Sequence, residues 1–374
     1  MALRSIRDVG DLRGKRILVR TDFNVPIIHS KVADDYRIRK SFSTINFLKA
    51  GGAKVILISH IESGEKTLLP VSNYLKSKYP EIILIPYHGD PKEYIEKMHD
   101  GEVILLENLR LHVDEVANNE DFAQEFASLA DVYVNDAFSV SHRNHASIVS
   151  IPRFLPSFTG LLFDDELKHL SECHEPPHPF LFILGGAKFD TKVPLIVKFL
   201  SIANQVVVSG ALANNLIRAK GYSIGESLIA DGDHGEKQIL ENSRLVIPEE
   251  VTVKNNEGVF VKKINAIGSR DKISDAGPAT VAKIRELIKN AKFILWNGPL
   301  GNYEEGFTGP TLEVAKAIAE SGVRSVVGGG DTLAAIAELG LENKFSFVST
   351  GGGAMLDYLA NETLPGIEAL KNSK

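Results

Sequence analysis

The residues with the clearest chemical meaning are two lysines and three glycine runs in the second half of the chain. Lys188 and Lys192 lie four apart, just after Leu184-Gly185-Gly186-Ala187. If a helix begins near Asp190, both ammonium groups sit at its N-terminal end, where the helix dipole disfavours cations. An anionic ligand would resolve that conflict; a pair of solvated surface lysines is the plainer alternative. Gly328-Gly329-Gly330-Asp331-Thr332 and Thr350-Gly351-Gly352-Gly353-Ala354 each follow an apolar run and precede a helical one. Glycine lets backbone N–H groups approach a phosphate, and a helix N-terminus adds favourable partial charge. Tight turns alone also use glycine, but three such runs at strand ends in one half favour phosphate binding. Asp331, at a helix start, suits either helix capping or Mg2+ coordination.

The first half offers a second cluster. Asp22-Phe23-Asn24 ends one apolar run, His60 another, and Leu106-Glu107-Asn108-Leu109-Arg110 a third. Arg37 opens a helical stretch after Asp34-Asp35, and Asn135-Asp136 leads into Ser141-His142-Arg143-Asn144-His145. Guanidinium forks match phosphate and carboxylate geometry. One Arg or His at a strand end is usually just solvated; the recurrence across several strand ends points to an anionic ligand.

Other chemistries find no support. There is no G-x-G-x-x-G, and Gly10 to Lys15 has the wrong spacing and context for a P-loop. His142 and His145 lack a third zinc ligand, and no G-x-S-x-G marks a nucleophile elbow. The net charge of -6 gives no reason to expect nucleic acid or an acidic membrane surface as partner. The single cysteine, Cys173, cannot form an internal disulfide and fits a reducing compartment. No run has the length of a secretory signal or a membrane span. The expectation is a cytoplasmic protein.

The elements that must position these residues alternate. Short apolar runs fall at 16–20, 54–58, 82–85, 103–106, 132–134, 180–184, 206–208, 293–296, 325–327 and 345–348. Most lack polar alternation, as parallel strands covered on both faces do. Helical patterns fall between them, at 38–49, 120–130, 193–201, 279–290 and 311–321. This order predicts an α/β protein with parallel sheets. At 374 residues the chain is long for one core, since domains run to about 150 residues. A helix over 161–173 and the run Glu175-Pro176-Pro177-His178-Pro179 place a boundary near the middle. The expected division is 1–160 with the tail 361–374, and 161–360.

Read together, these motifs resemble those of the phosphoglycerate kinase family, nearly end to end. The resemblance rests on Arg20-Thr21-Asp22-Phe23-Asn24-Val25-Pro26, Glu107-Asn108-Leu109-Arg110, Asn135-Asp136-Ala137-Phe138 and His142-Arg143-Asn144-His145. In the second half it rests on Gly185-Gly186-Ala187-Lys188, Trp296-Asn297-Gly298-Pro299, Gly328-Gly329-Gly330-Asp331-Thr332 and Ser349-Thr350-Gly351-Gly352-Gly353. The resemblance implies two Rossmann-like α/β/α lobes joined by a hinge helix, with the tail returning to the first lobe. It implies reversible phosphoryl transfer between ATP and the carboxylate of 3-phosphoglycerate, giving ADP and 1,3-bisphosphoglycerate, with Mg2+ and a monomeric enzyme. Asp22, Asn24, Arg37, His60, Arg110 and Arg143 match substrate positions. Gly186, Lys188, Lys192, Gly210, Gly277, Asn297, Glu304, Gly329, Gly330, Asp331 and Thr332 match nucleotide positions, with Asp331 as the metal ligand. Arg37, Lys192, Lys188 and the amides of Gly351, Gly352 and Gly353 are the implied catalytic groups.

The sequence also departs from the family. Ser59-His60-Ile61-Glu62-Ser63-Gly64-Glu65 stands where Ser-His-Leu-Gly-Arg-Pro is usual. Ser63 replaces an arginine of the acid site, and two glutamates enter the loop. A charged hydrogen bond contributes roughly 1.5–3 kcal/mol, so substrate affinity falls roughly tenfold to a hundredfold if nothing compensates. Met355 stands where serine is common, Thr191 where aspartate is, and Ser209-Gly210-Ala211 where three glycines are. Two other readings stay open: a related kinase of another small acid, and a nucleotide-binding module with weakened turnover.

Overall fold

The computed structural model describes residues 3–62, 64, 66–86 and 90–374. Ser63 and Glu65 lie outside these residues. The chain forms two compact units, Met1–Lys168 with Asn361–Lys374, and His169–Ala360.

Each unit is built on a six-stranded parallel sheet. In the first unit the strand order is Ile83–Ile85, Val103–Leu106, Lys54–Ile58, Arg16–Arg20, Val132–Asn135, Ser157–Thr159. In the second it is Leu245–Val246, Gln205–Val208, Phe180–Leu184, Phe293–Asn297, Arg324–Gly328, Phe347–Val348. The central strands carry unbroken apolar residues between their ends because both faces are covered. Ile17, Leu18 and Val19 are all fully buried, as are Phe182, Ile183 and Leu184. The helix Tyr36–Ala50 packs through Ile38, Phe42, Ile45 and Leu48, spaced as one helical face requires.

Three features differ from the sequence reading. The division falls inside the helix Leu161–Ser171 instead of ahead of it. The cause lies at the helix start: Leu161 N–H donates to Thr44 Oγ1 at 2.8 Å and Leu162 N–H to Asp136 Oδ1 at 3.0 Å, both in the first unit. Second, the second unit carries an antiparallel sheet, Gly258–Lys263, Glu250–Asn255 and Lys272–Ala276, beside its parallel one. Its middle strand alternates, with Val251 and Val253 buried. Third, the helix after Gly186 spans Phe189–Ile202 and so starts before 193.

The last helix, Pro365–Lys371, belongs to the first unit. Gly366 N–H donates to Ser141 O at 2.8 Å, and Arg4 reaches the backbone of Lys374 at 3.2 Å. Among the described residues no helix is long and apolar enough to cross a membrane.

Candidate active site

In the first unit the site residues stand at the C-terminal ends of parallel strands, where open α/β sheets place ligands. Asp22 follows Arg16–Arg20, His60 follows Lys54–Ile58, and Arg110 follows Val103–Leu106. Arg37 reaches in from the first turn of its helix. Its Nη1 donates to Asp22 Oδ2 and to Asn24 O, both at 3.0 Å. Ser139 Oγ also donates to Asp22. Burial pushes the Asp22 carboxyl up, but Arg37, His60 and the Ser139 hydroxyl together hold it below the usual carboxylate range. Asp22 is therefore an anchor that aims Arg37.

Sequence reasoning missed the group beneath this cluster. Arg20 is fully buried. Its Nε donates to Ser147 Oγ at 2.9 Å, and its Nη2 lies 3.2 Å from His60 Nδ1. Ser147 in turn donates from its amide and hydroxyl to the buried Glu115, at 2.8 and 2.6 Å. A guanidinium only donates, so His60 Nδ1 accepts and the ring carries its proton on Nε2. Burial and the neighbouring Arg20 lower the His60 pKa to about 3, so the ring is neutral near pH 7. His145 is similar: Arg110 Nη1 lies 3.1 Å from its Nδ1, and burial with Arg110 lowers its pKa to about 4. Arg143 is exposed and joins no ion pair among the described residues. The only sequence signal for Arg20 is a charge inside an otherwise apolar strand.

Arg110 also pairs with Glu62, Nε to Oε1 at 2.9 Å. Glu107 and Asn108, prominent in the sequence, serve the backbone. Asn108 holds Ile61 and Lys66 through its side-chain amide, and Glu107 accepts from Leu68 N–H at 2.7 Å and Thr67 Oγ1 at 2.6 Å.

The second unit's site is made largely of backbone. Gly185 N–H donates to Asn297 O at 2.8 Å and Gly186 N–H to Pro299 O at 2.9 Å. This knits the ends of two adjacent strands. The approach leaves no room for side chains: a Cβ on Gly185 would lie 2.1 Å from Pro299 O. Gly210, at φ +64°, packs against Gly186 in the same way. Thr332 Oγ1 accepts from Gly298 N–H at 2.9 Å and joins the third strand end to the other two.

Lys188 caps the helix Phe189–Ile202 at φ +62°, an uncommon conformation for a side-chain-bearing residue. Such strain is a pointer to function. Lys188 is exposed. Lys192 is partly buried, and its Nζ donates to Gly185 O at 2.9 Å. Burial, then the charge of Lys188, lowers the Lys192 pKa to about 8. Asp331 opens the helix Gly330–Glu338 behind Gly329. Burial and the nearby Glu304 raise its pKa. These two carboxylates are the oxygen donors available to a hard cation here, and Mg2+ is commonly held by one or two carboxylates plus substrate phosphates.

Beside these groups lies a cavity of about 320 Å3. Gly186, Gly210, Glu304 and Asp331 line it, together with the apolar Ile217, Leu228, Ile273 and Leu300. Asp275 lines it too and went unnoticed in the sequence; burial raises its pKa to about 7. Gly277 and Asn297 stand outside this lining. Gly277 donates its amide to Glu250 O at 2.9 Å and caps the next helix. Asn297 is buried, with its Nδ2 3.6 Å from Met355 Sδ. At the last glycine run, Gly351 N–H donates to Ser349 Oγ at 3.0 Å. That leaves Gly352 and Gly353 to offer amides at the start of the helix Gly353–Asn361.

Comparison with known proteins agrees with this geometry. The family model described as phosphoglycerate kinase matches residues 6–362. A protein of Thermosipho africanus named phosphoglycerate kinase is 40% identical, over 99% of this chain and 98% of its own length. One of Borreliella burgdorferi with the same name is 37% identical over the whole of both chains. The solved phosphoglycerate kinase of Coxiella burnetii superposes with a TM-score of 0.85 at 34% identity, covering all of both chains. That of Pyrococcus horikoshii gives 0.86 at 29% identity, over 99% of this chain and 98% of the other. The chain belongs to the phosphoglycerate kinase family. It is a phosphotransferase with a carboxyl group as acceptor and acts in glycolysis.

Proposed function

We propose that this phosphoglycerate kinase family member binds 3-phosphoglycerate or 1,3-bisphosphoglycerate on its first unit and ATP or ADP on its second. The observation that carries this is the pair of anion sites at strand ends, one in each unit. In the first, Asp22, Asn24, Arg37, His60, Arg110 and Arg143 gather donors around an acid. His60 serves as a neutral Nε2–H donor, and Arg20 with Glu115 holds it in place. In the second, the base occupies the 320 Å3 cavity. Gly186, Gly210, Gly277, Asn297, Gly329, Gly330 and Thr332 shape its surroundings, Glu304 lines it, and Lys188 and Lys192 meet the phosphates.

The acceptor is a carboxylate, ionised near neutral pH, so no general base is needed. The barrier is electrostatic: two anions must meet while charge spreads over the transferring group. Lys192 and Arg37 stabilise that charge, Lys188 assists, and the helix N-terminus at Gly352 and Gly353 contributes amides. Asp331, with Glu304 beside it, would hold Mg2+. When bound, the ion neutralises phosphate charge. Donor and acceptor atoms must come within roughly 3–3.5 Å for transfer, so the two units close on their ligands before reaction. A cytoplasmic monomer completes the reading, supported by the glycolytic reaction and the lone, buried Cys173.

Calorimetry with each ligand alone tests the division of labour. Arg37→Ala should weaken 3-phosphoglycerate binding and spare ADP, and Lys188→Ala should do the reverse. If either substitution weakens only the other ligand, the assignment of ligands to units is wrong. Gel filtration giving a dimer mass would overturn the monomer.

A further inference from the structure

Glu62 sits at the mouth of the first unit's cluster. Its Oε1 lies 2.9 Å from Arg110 Nε. The arginine side chain is 12% exposed and the glutamate 57%, so a carboxylate reaching in from solvent forms a close ion pair, without hydrogen-bond geometry at Nε, with a largely buried guanidinium. The contact is built in from both ends. Glu62 N–H donates to Asn24 Oδ1 at 2.9 Å, and Asn108 bonds to the backbone of the adjacent Ile61 and of Lys66. On the other side of Arg110, His145 Nδ1 takes an Nη1 bond at 3.1 Å. Arg110 therefore has an anion on it before any ligand arrives.

We propose that Glu62 sets the affinity of the acid site: its carboxylate competes with the incoming acid for Arg110, so an acid must displace it before it can take the guanidinium. This rests on the reading of Arg110 as a substrate residue. The physical argument is one of exchange. A singly charged carboxylate entering the site replaces a like group already in place, at no net electrostatic gain. A phosphate dianion brings twice the charge and three acceptor oxygens to the same fork. Glu62, being half-exposed, returns to water at little cost. The ion pair thus lowers affinity by the same factor, set by the free energy of displacing Glu62, for every acid that takes Arg110. It acts through Arg110, so Glu62 is a positioning residue and not a catalytic one.

The test is calorimetric binding of 3-phosphoglycerate and of glycerate to the full chain, with Glu62→Gln, Arg110→Ala and the double variant, each checked by its melting midpoint. Glu62→Gln should tighten 3-phosphoglycerate about two- to fivefold, as release of an exposed ion pair allows. It should tighten glycerate by about the same factor wherever glycerate takes Arg110, leaving the ratio between the two near its original value. Arg110→Ala should weaken 3-phosphoglycerate, and adding Glu62→Gln to it should change nothing further. If Arg110→Ala weakens binding but Glu62→Gln leaves both affinities unchanged, the competition is refuted. If Arg110→Ala has no effect on 3-phosphoglycerate, Arg110 itself is misassigned and the inference falls with it.

Discussion

The two units face anions with opposite materials. The first uses side chains, and three of its arginines are already engaged: Arg37 on Asp22, Arg110 on Glu62, Arg20 on Ser147 and His60. The second uses backbone. Its glycines interlock across strand ends, and Lys192 rests on the carbonyl of Gly185 and joins no ion pair among the described residues. Paired guanidiniums are rigid and hold a fixed geometry, as recognition of a small acid requires. A lysine on a carbonyl keeps its full charge to give to a phosphoryl group in flight. The same contrast appears in protonation. Burial and Arg20 lower His60 to about 3, far from neutrality, whereas burial and Lys188 lower Lys192 to about 8, close to it.

The largest expected effect is on the charge that moves with the reaction. Lys192→Ala should lower kcat by roughly a hundredfold to a thousandfold, as loss of one aimed donor does elsewhere. A small change in kcat with a large one in KM would make Lys192 a ground-state binder and dissolve the contrast. Arg37→Ala comes next. It removes a charged hydrogen-bond donor and strands the buried Asp22, so acid affinity should fall about tenfold to a hundredfold. Steady-state titration of the acid at saturating ATP reads this directly.

Backbone dependence predicts a third effect, confined to the second unit. Gly185→Ala places a methyl 2.1 Å from Pro299 O. It should destabilise that unit by about 1–3 kcal/mol. Trp296, the only tryptophan, is fully buried in that unit and donates to Gly298 O at 2.9 Å, so its fluorescence reports the melt. An unchanged melt would mean the glycine interlock is not needed.

The smallest effect is a pH limb. Lys192 is depressed, so its ammonium is present below about pH 8 and is lost as pH rises through that value. kcat/KM should be level near pH 7 and decline above 8. The limb in kcat should lie higher, because bound phosphate favours the charged lysine. Coincident limbs would argue that Lys192 does not meet the nucleotide.

The sequence made much of this legible, for physical reasons that differ by region. Buried parallel strands announce themselves as unbroken apolar runs, so Arg16–Arg20 and Phe180–Leu184 were readable to the residue. Glycine runs at strand ends marked the second site because close backbone approach demands them. The strand Glu250–Asn255 is harder to read because a half-buried antiparallel strand alternates, as Val251 and Val253 do, and shows no continuous apolar run. The Arg20–Ser147–Glu115 chain was invisible: its members are far apart in sequence, and only the fold joins them. Asp275 was hidden for the same reason, and Glu62 was legible as an added acid near the site while its pairing with Arg110 was not. Gly351 was read as one of three free amides, and its bond to Ser349 Oγ shows that a local turn had already claimed it.

The most direct test of the account is ADP formation from Mg-ATP and 3-phosphoglycerate by the intact chain, beside Lys192→Ala, over a wide range of acid concentration. The account predicts saturable turnover in the first and roughly a hundredfold less or worse in the second, with ADP binding by the variant still measurable through Trp296. Equal turnover by both proteins would contradict it, because the charge stabilising the transferring group would then come from somewhere other than Lys192.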